Sequence, residues 1–129
     1  MEKDFLPYEL AVKLKALGFD ESCLFAFDNC STPMRCTDLR TSDQKFNGVN
    51  YNSSSYTSQP TFSQAFRWFR EKHNLLGLPQ YFTGGFYCYT VNDMKDTKES
   101  NRLFTEFETF EEAELACIEK LIELTFKSE

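Results

Sequence analysis

The chain holds one histidine, His73, in 129 residues. A triad built on it needs a nucleophile and an orienting carboxylate nearby in space. No such pair stands at a telling spacing from His73, so the residue reads as a helix-end side chain helped by the helix dipole. Five cysteines, Cys23, Cys30, Cys36, Cys88 and Cys117, make an odd count, and no two are separated by only two residues. With one histidine they give no zinc-ligand spacing, and they read as reduced thiols, several buried as small hydrophobes. Cys30 and Cys36 fall in a polar stretch. Thr83-Gly84-Gly85-Phe86 is not a phosphate-binding glycine loop and does not join a strand to a helix, so no nucleotide cofactor is expected, nor any other. No run of about 18 apolar residues is present, which excludes a membrane-spanning helix. Met1-Glu2-Lys3-Asp4 lacks the basic and apolar segments of a secretory leader, so the expected location is the cytoplasm.

Positive charge is also scarce. Lys and Arg total 14 against 20 Asp and Glu, a net charge of −6. The excess lies in residues 106–129, where eight acids face only Lys120 and Lys127. Such a surface repels phosphate, so duplex nucleic acid and anionic membrane are unsuitable partners.

Aromatic residues are plentiful at 16%, with 14 phenylalanines. A few large rings can fill a core, and the chain is long enough to fold as one domain, residues 1–129. Residues 5–17 have helical spacing, with Pro7 in the first turn, Leu10, Leu14 and Leu17 on one face, and Gly18 with Phe19 as a stop. Residues 23–28 read as a strand. The polar region of about 29–60 is irregular, and a strand is expected within it at Lys45–Tyr51 because thirty structureless residues are unusual in a compact domain. A second helix starts at Thr61, capped by Thr61 and Gln64. It buries Phe62, Ala65, Phe66 and Phe69, has Trp68 at the border of its faces, and fades near His73-Asn74 ahead of Gly77 and Pro79. Residues 81–91 form a strand that Gly84-Gly85 interrupts as a bulge or turn. Arg102–Glu108 returns beside it, Glu106 and Glu108 sharing one face by alternation. Thr109 and Glu112 cap the last helix in the same style.

The expected fold is thus α+β: an antiparallel sheet of about four strands with three helices, in the order α-β-β-α-β-β-α. The matching helix starts, Thr61-Phe62-Ser63-Gln64-Ala65 and Thr109-Phe110-Glu111-Glu112-Ala113, suggest a degenerate ββα repeat, although capping chemistry alone also produces such a match.

The last helix carries two adjoining apolar stripes. One is Phe110, Ala113, Cys117, Leu121 and Leu124, and the other is Leu115, Ile118, Ile122 and Phe126. Together they are wider than an ordinary amphipathic face. Either both pack inside the domain or the second meets a partner. From this comes the leading functional reading, a non-enzymatic module that binds protein or itself through Leu115, Ile118, Ile122 and Phe126. The alternative is weak binding of single-stranded nucleic acid through Arg67, Trp68, Arg70, Lys72 and His73, with Tyr81, Tyr87 and Tyr89 as stacking rings. A third reading, an enzyme with an unrecognised site, needs a pocket that gathers His73, a cysteine and a carboxylate.

Pro60–Asn74 and Phe110–Leu124, with Tyr8–Phe19, resemble a group of small uncharacterised proteins found in Bacteroidetes genomes and in their phages or other mobile elements. The likeness covers the three helices. It implies a bacterial or phage setting and no mechanism.

Overall fold

A computed structural model describes residues 4–21, 23, 25–28, 35–38, 56–95 and 102–128. The chain divides into two compact units, residues 1–61 and 62–129.

In the first unit, helix α1 spans Tyr8–Ala16 and is followed by strands β1 (Phe25–Asp28), β2 (Arg35–Asp38) and β3 (Tyr56–Gln59). The helix starts later than the apolar spacing predicts. Leu6 precedes proline, which disfavours helical geometry, and Pro7 is the extended cap at φ −67° and ψ 161°. Phe5 instead bridges Thr61 as an extended residue, and the Leu6 N–H donates to the Pro60 carbonyl at 3.0 Å. The stop is as the sequence predicts. Gly18 sits at φ +96°, its N–H donates to Lys15 O, and the Phe19 N–H donates to Leu14 O at 3.0 Å. That double closure satisfies the last carbonyls and folds Phe19 back into the core.

The sheet of this unit is antiparallel, in the order β2-β1-β3. Phe25 and Phe27 share a face of β1 and meet Phe5 and Tyr8 edge-on, at 4.8 and 5.2 Å between ring centroids. The Lys15 ammonium donates to Tyr56 O, and the Gln59 amide donates to Leu6 O. β2 and β3 fall within the polar stretch that the sequence leaves mostly irregular, and the strand expected at Lys45–Tyr51 lies outside the described residues.

The second unit contains α2 (Phe62–His73), β4 (Leu75–Phe82), β5 (Phe86–Asp93), β6 (Arg102–Phe107) and α3 (Phe110–Ser128). Its sheet is an antiparallel meander, β4-β5-β6. The class is therefore α+β with three helices and antiparallel sheets, and the described strands number six, in two sheets of three. Each of the first two helices precedes three strands, but the central strand is the first of the three in one unit and the second in the other. Among the described strands, the two units do not share a strand order.

Asn74, at φ 56°, ends α2 and turns the chain directly into β4. Asparagine tolerates this left-handed geometry. The sequence reading uses Gly77 and Pro79 to end the helix and starts its strand only at Tyr81, whereas β4 begins at Leu75. β4 is an edge strand, where one side of the backbone is not asked for ladder donors, and Pro79 lies opposite Tyr89 without breaking the register. Gly84-Gly85 is a turn: the Gly85 N–H donates to Phe82 O at 3.1 Å, and Gly85 takes φ +96°. This is the left-handed residue that closes a three-residue hairpin loop.

β6 pairs with β5 through a bulge. Tyr87 faces Phe107 and Tyr89 faces Phe104, so β6 has one residue more than β5 between the two pairs. Glu106 in the bulge has φ 84°. The extra residue breaks the alternation expected along Arg102–Glu108, and Glu108 lies beyond the strand.

Thr109 caps α3, its hydroxyl accepting the Glu112 N–H at 3.1 Å. Thr109→Ala should lower stability by about 1 kcal/mol, read as a shifted urea midpoint, with Thr109→Ser close to wild type. The buried residues of α3 are Ala113, Cys117, Ile118, Leu121, Ile122 and Thr125. They form one stripe, which lies against β4, β5 and α2. The Thr125 hydroxyl is satisfied by donating to Leu121 O.

Candidate functional site

The surface expected on α3 is not open. Ile118 is 0% exposed and Ile122 3% exposed. Leu115 is half-buried, and only Phe126, at 44%, stands well out. The second stripe is largely core because the helix meets the sheet and α2 at once, leaving no continuous face of Leu115, Ile118, Ile122 and Phe126 for a partner.

The basic face of α2 is likewise changed. Arg67, Arg70 and Lys72 are exposed and His73 is half-buried. Trp68 is only 3% exposed, packed edge-on against Phe69 at 5.1 Å and His73 at 4.8 Å. A base cannot stack on a ring already enclosed in a core. Tyr89, a second expected stacking ring, is buried too. Phe66, expected on the buried face, is half-buried instead: Trp68 has taken its place.

Apart from Phe126, exposed rings gather at the turn of the β4–β5 hairpin and the first turn of α3. Residues 81–87 read Tyr-Phe-Thr-Gly-Gly-Phe-Tyr, symmetric about the turn. The register pairs Tyr81 with Tyr87 and Phe82 with Phe86. Because side chains alternate along a strand, the two pairs take opposite faces of the hairpin. Phe82 and Phe86 stack at 5.0 Å and 16°. Tyr81 and Tyr87 meet edge-to-face at 5.4 Å and 72°. Tyr87 then meets Phe110, in the first turn of α3, at 6.2 Å and 81°. Tyr81 is 60% and Phe110 40% exposed. The result is a run of linked rings, Tyr81–Tyr87–Phe110, open to solvent at both ends.

Carboxylates border this run by chain connectivity. Glu106 and Glu108 flank Phe107, the register partner of Tyr87, and Glu111 and Glu112 follow Phe110. All four are exposed. Sequence reading assigned Phe110 to an apolar stripe of α3, and Tyr81 and Tyr87 to a strand with a stacking role toward nucleic acid. The signal available was the mirror arrangement of aromatics about Gly84-Gly85, which places like rings opposite each other once the turn is recognised.

Chemistry elsewhere is muted. Burial pushes the Cys117 thiol up to about 12, with a smaller contribution from Glu114. Burial likewise pushes Cys23 up to about 12, helped by Glu21 and opposed by a hydrogen bond with Ser58. Tyr89 also rises to about 12, first from burial and then from the charges of Cys117, Glu123 and Glu119. A thiol that stays protonated is a poor nucleophile and metal ligand. Among the described residues, no group of three or more His, Cys, Asp or Glu could hold a metal ion, and no helix is long and apolar enough to cross a membrane.

These shifts fix the alkaline behaviour. In the unfolded chain the thiols ionise near 9 and Tyr89 near 10, whereas in the folded chain all three hold their protons to about 12. Above about pH 9 the unfolded state therefore binds fewer protons, and stability falls with rising pH. The melting temperature should be level below about pH 9 and decline from there toward 12, and Cys117→Ala should decline less steeply. An equal slope in that variant would remove Cys117 as a cause.

Comparison of the chain with protein-family models, with curated proteins and with solved structures gave no match.

Proposed function

We propose that the chain is a protein-interaction module, and that its contact surface is the aromatic end of the β4–β5 hairpin with the first turn of α3. The observation that carries this is the exposed ring run Tyr81–Tyr87–Phe110. Exposed large rings are costly in water, and contiguous ones mark places where another molecule covers them. Tyrosine and phenylalanine held by neighbouring rings also lose little entropy on binding, a property of interface anchors. The ring contacts across a tight hairpin supply that rigidity here.

This reading keeps the expectation of a binding module and moves its site off Leu115, Ile118 and Ile122. Self-association remains one form of it. Single-stranded nucleic acid is disfavoured, since Trp68 is enclosed and the exposed rings are bordered by carboxylates.

Selection of a random displayed peptide library on the wild-type protein and on a Tyr81→Ser/Phe110→Ser variant tests the proposal. Peptides enriched on wild type should lose binding to the variant, whose melting temperature should change little because both side chains are exposed. Equal enrichment on both proteins, or none on either together with a monomer in sedimentation velocity at high concentration, would overturn it.

A further inference from the structure

The hairpin and its rim differ sharply in charge. Residues 75–91, all of β4, the turn and most of β5, contain no charged residue of either sign. Residues 103–119 contain six glutamates and no lysine or arginine. The aromatic run lies where these two stretches meet: Phe107 opposite Tyr87, and Phe110 against Tyr87. A neutral aromatic platform is therefore bordered by charge of one sign.

The helix dipole accounts for only part of that border. Glu111 and Glu112 lie in the first turn of α3, where negative charge is favourable to the helix dipole. Glu108 stands one residue before the cap, and Glu106 lies in β6, further from the helix end. Glu106 is moreover held at φ 84° in the bulge, a geometry that costs energy for a residue other than glycine.

The rings meet at interplanar angles of 72° and 81°. In an edge-to-face contact one ring presents its rim to the face of the other, so the end rings keep a face turned away from the contact. An aromatic face carries partial negative charge and attracts a cation within about 6 Å of its centre. Glutamates next in sequence to Phe107 and Phe110 make the potential around this end of the unit more negative, which favours a cation and repels phosphate and acidic segments.

We infer that the segment bound at this surface is cationic: a peptide of a partner protein that lays lysine or arginine side chains over Tyr81 and Phe110 and faces Glu106, Glu108, Glu111 and Glu112. This rests on the interaction-module reading and names its partner class. The contact needs no cavity. It uses ring faces for the flat part of the side chain and carboxylates for its charge, and arginine suits it best because its planar group stacks on rings and pairs with carboxylates.

The test is a titration of isotope-labelled full-length protein, followed by amide NMR signals, with two capped peptides of equal length. One alternates arginine with serine, the other glutamine with serine. The arginine peptide should shift signals of residues 81–87 and 106–112 at low salt, and the glutamine peptide should not. Tyr81→Ala should weaken binding roughly three- to fivefold, as loss of one exposed cation–ring contact does. Glu108→Gln/Glu111→Gln/Glu112→Gln, which keeps every side-chain shape, should weaken it further at low salt. That difference should shrink near 1 M salt, where screening reaches about 3 Å.

No shift with the arginine peptide at low salt, equal shifts with both peptides, or shifts untouched by Tyr81→Ala would overturn the inference. So would a single-stranded oligonucleotide that shifts the same signals. Display-selected peptides that need Tyr81 and Phe110 but carry no positive charge would end the cationic partner and leave the interaction module standing. Failure of both experiments would remove the module as well.

Discussion

Phe69→Ala should lower the unfolding free energy of the 62–129 unit by about 3–5 kcal/mol, the cost of truncating a buried phenylalanine. Phe69 is fully buried and touches the rings of Trp68 at 5.1 Å and His73 at 6.0 Å. Truncation loses the transfer free energy of the ring and opens a cavity between α2 and what it covers. A helix fixed on a sheet cannot collapse fully into that space, so the cavity persists and adds to the cost. Marginal stability makes such a loss a large share of the total. Urea unfolding with an unchanged slope is the suitable measurement. The fluorescence of Trp68, the only tryptophan of the chain, reports on the same contact. Phe66→Ala, at a half-buried ring, should cost clearly less. Equal losses at the two positions would mean that Phe66 shares the core equally, as the apolar spacing alone suggests.

Gly77→Val should also destabilise strongly, by about 1–3 kcal/mol from overpacking, although valine favours strands in general. The reason is close approach. A β-carbon at Gly77 would lie 2.8 Å from Cys117 Sγ, 2.8 Å from Leu121 Cδ1 and 3.3 Å from Phe66 Cε1. The leucine methyl can rotate away. The cysteine sulfur is two bonds from the helix backbone and moves only by χ1, inside a packed core, so relieving it pushes α3 away from β4. Strand preference acts in the opposite direction and is smaller than that displacement. Gly77→Ala should show the same sign with a smaller magnitude. A Gly77→Ala/Cys117→Ala double variant should recover part of the loss, since neighbours that share space are not additive. A Gly77→Val protein as stable as wild type would mean that α3 does not rest on β4 at this point.

Local chemistry in the chain foretold much of the fold. Gly18 and Phe19 stop α1 with the bonds expected of them, and Thr109 caps α3, because caps and stops involve atoms only a few residues apart. Each missed element has a non-local reason. The first part of β4 was missed because Gly77 and Pro79 read as the stop of α2, and neither favours a strand in isolation. The glycine is required because a helix packs on it, and the proline is tolerated because the strand lies at an edge. The bulge at Glu106 shifted an alternation that looked regular in the sequence. Trp68, at the border of its helix by spacing, is buried in the folded chain, and its ring also meets Phe69 and His73 of the same helix.

The candidate site follows the same division. By itself the sequence determined the charge and ring content: a charge-free, aromatic-rich stretch over residues 75–91 and an acidic stretch with no base through residues 103–119. It determined these because charge and ring content belong to residues, wherever they are placed. Only the tertiary structure decided which apolar residues face water. The second stripe on α3 read either as core or as a surface for a partner. The sheet and α2 took most of both stripes, burying Ile118 and Ile122 and leaving Phe110 at the rim beside Tyr87. Exposure is a property of pairs of elements, set by what covers a side chain, and a periodic pattern in one helix cannot record what lies opposite it.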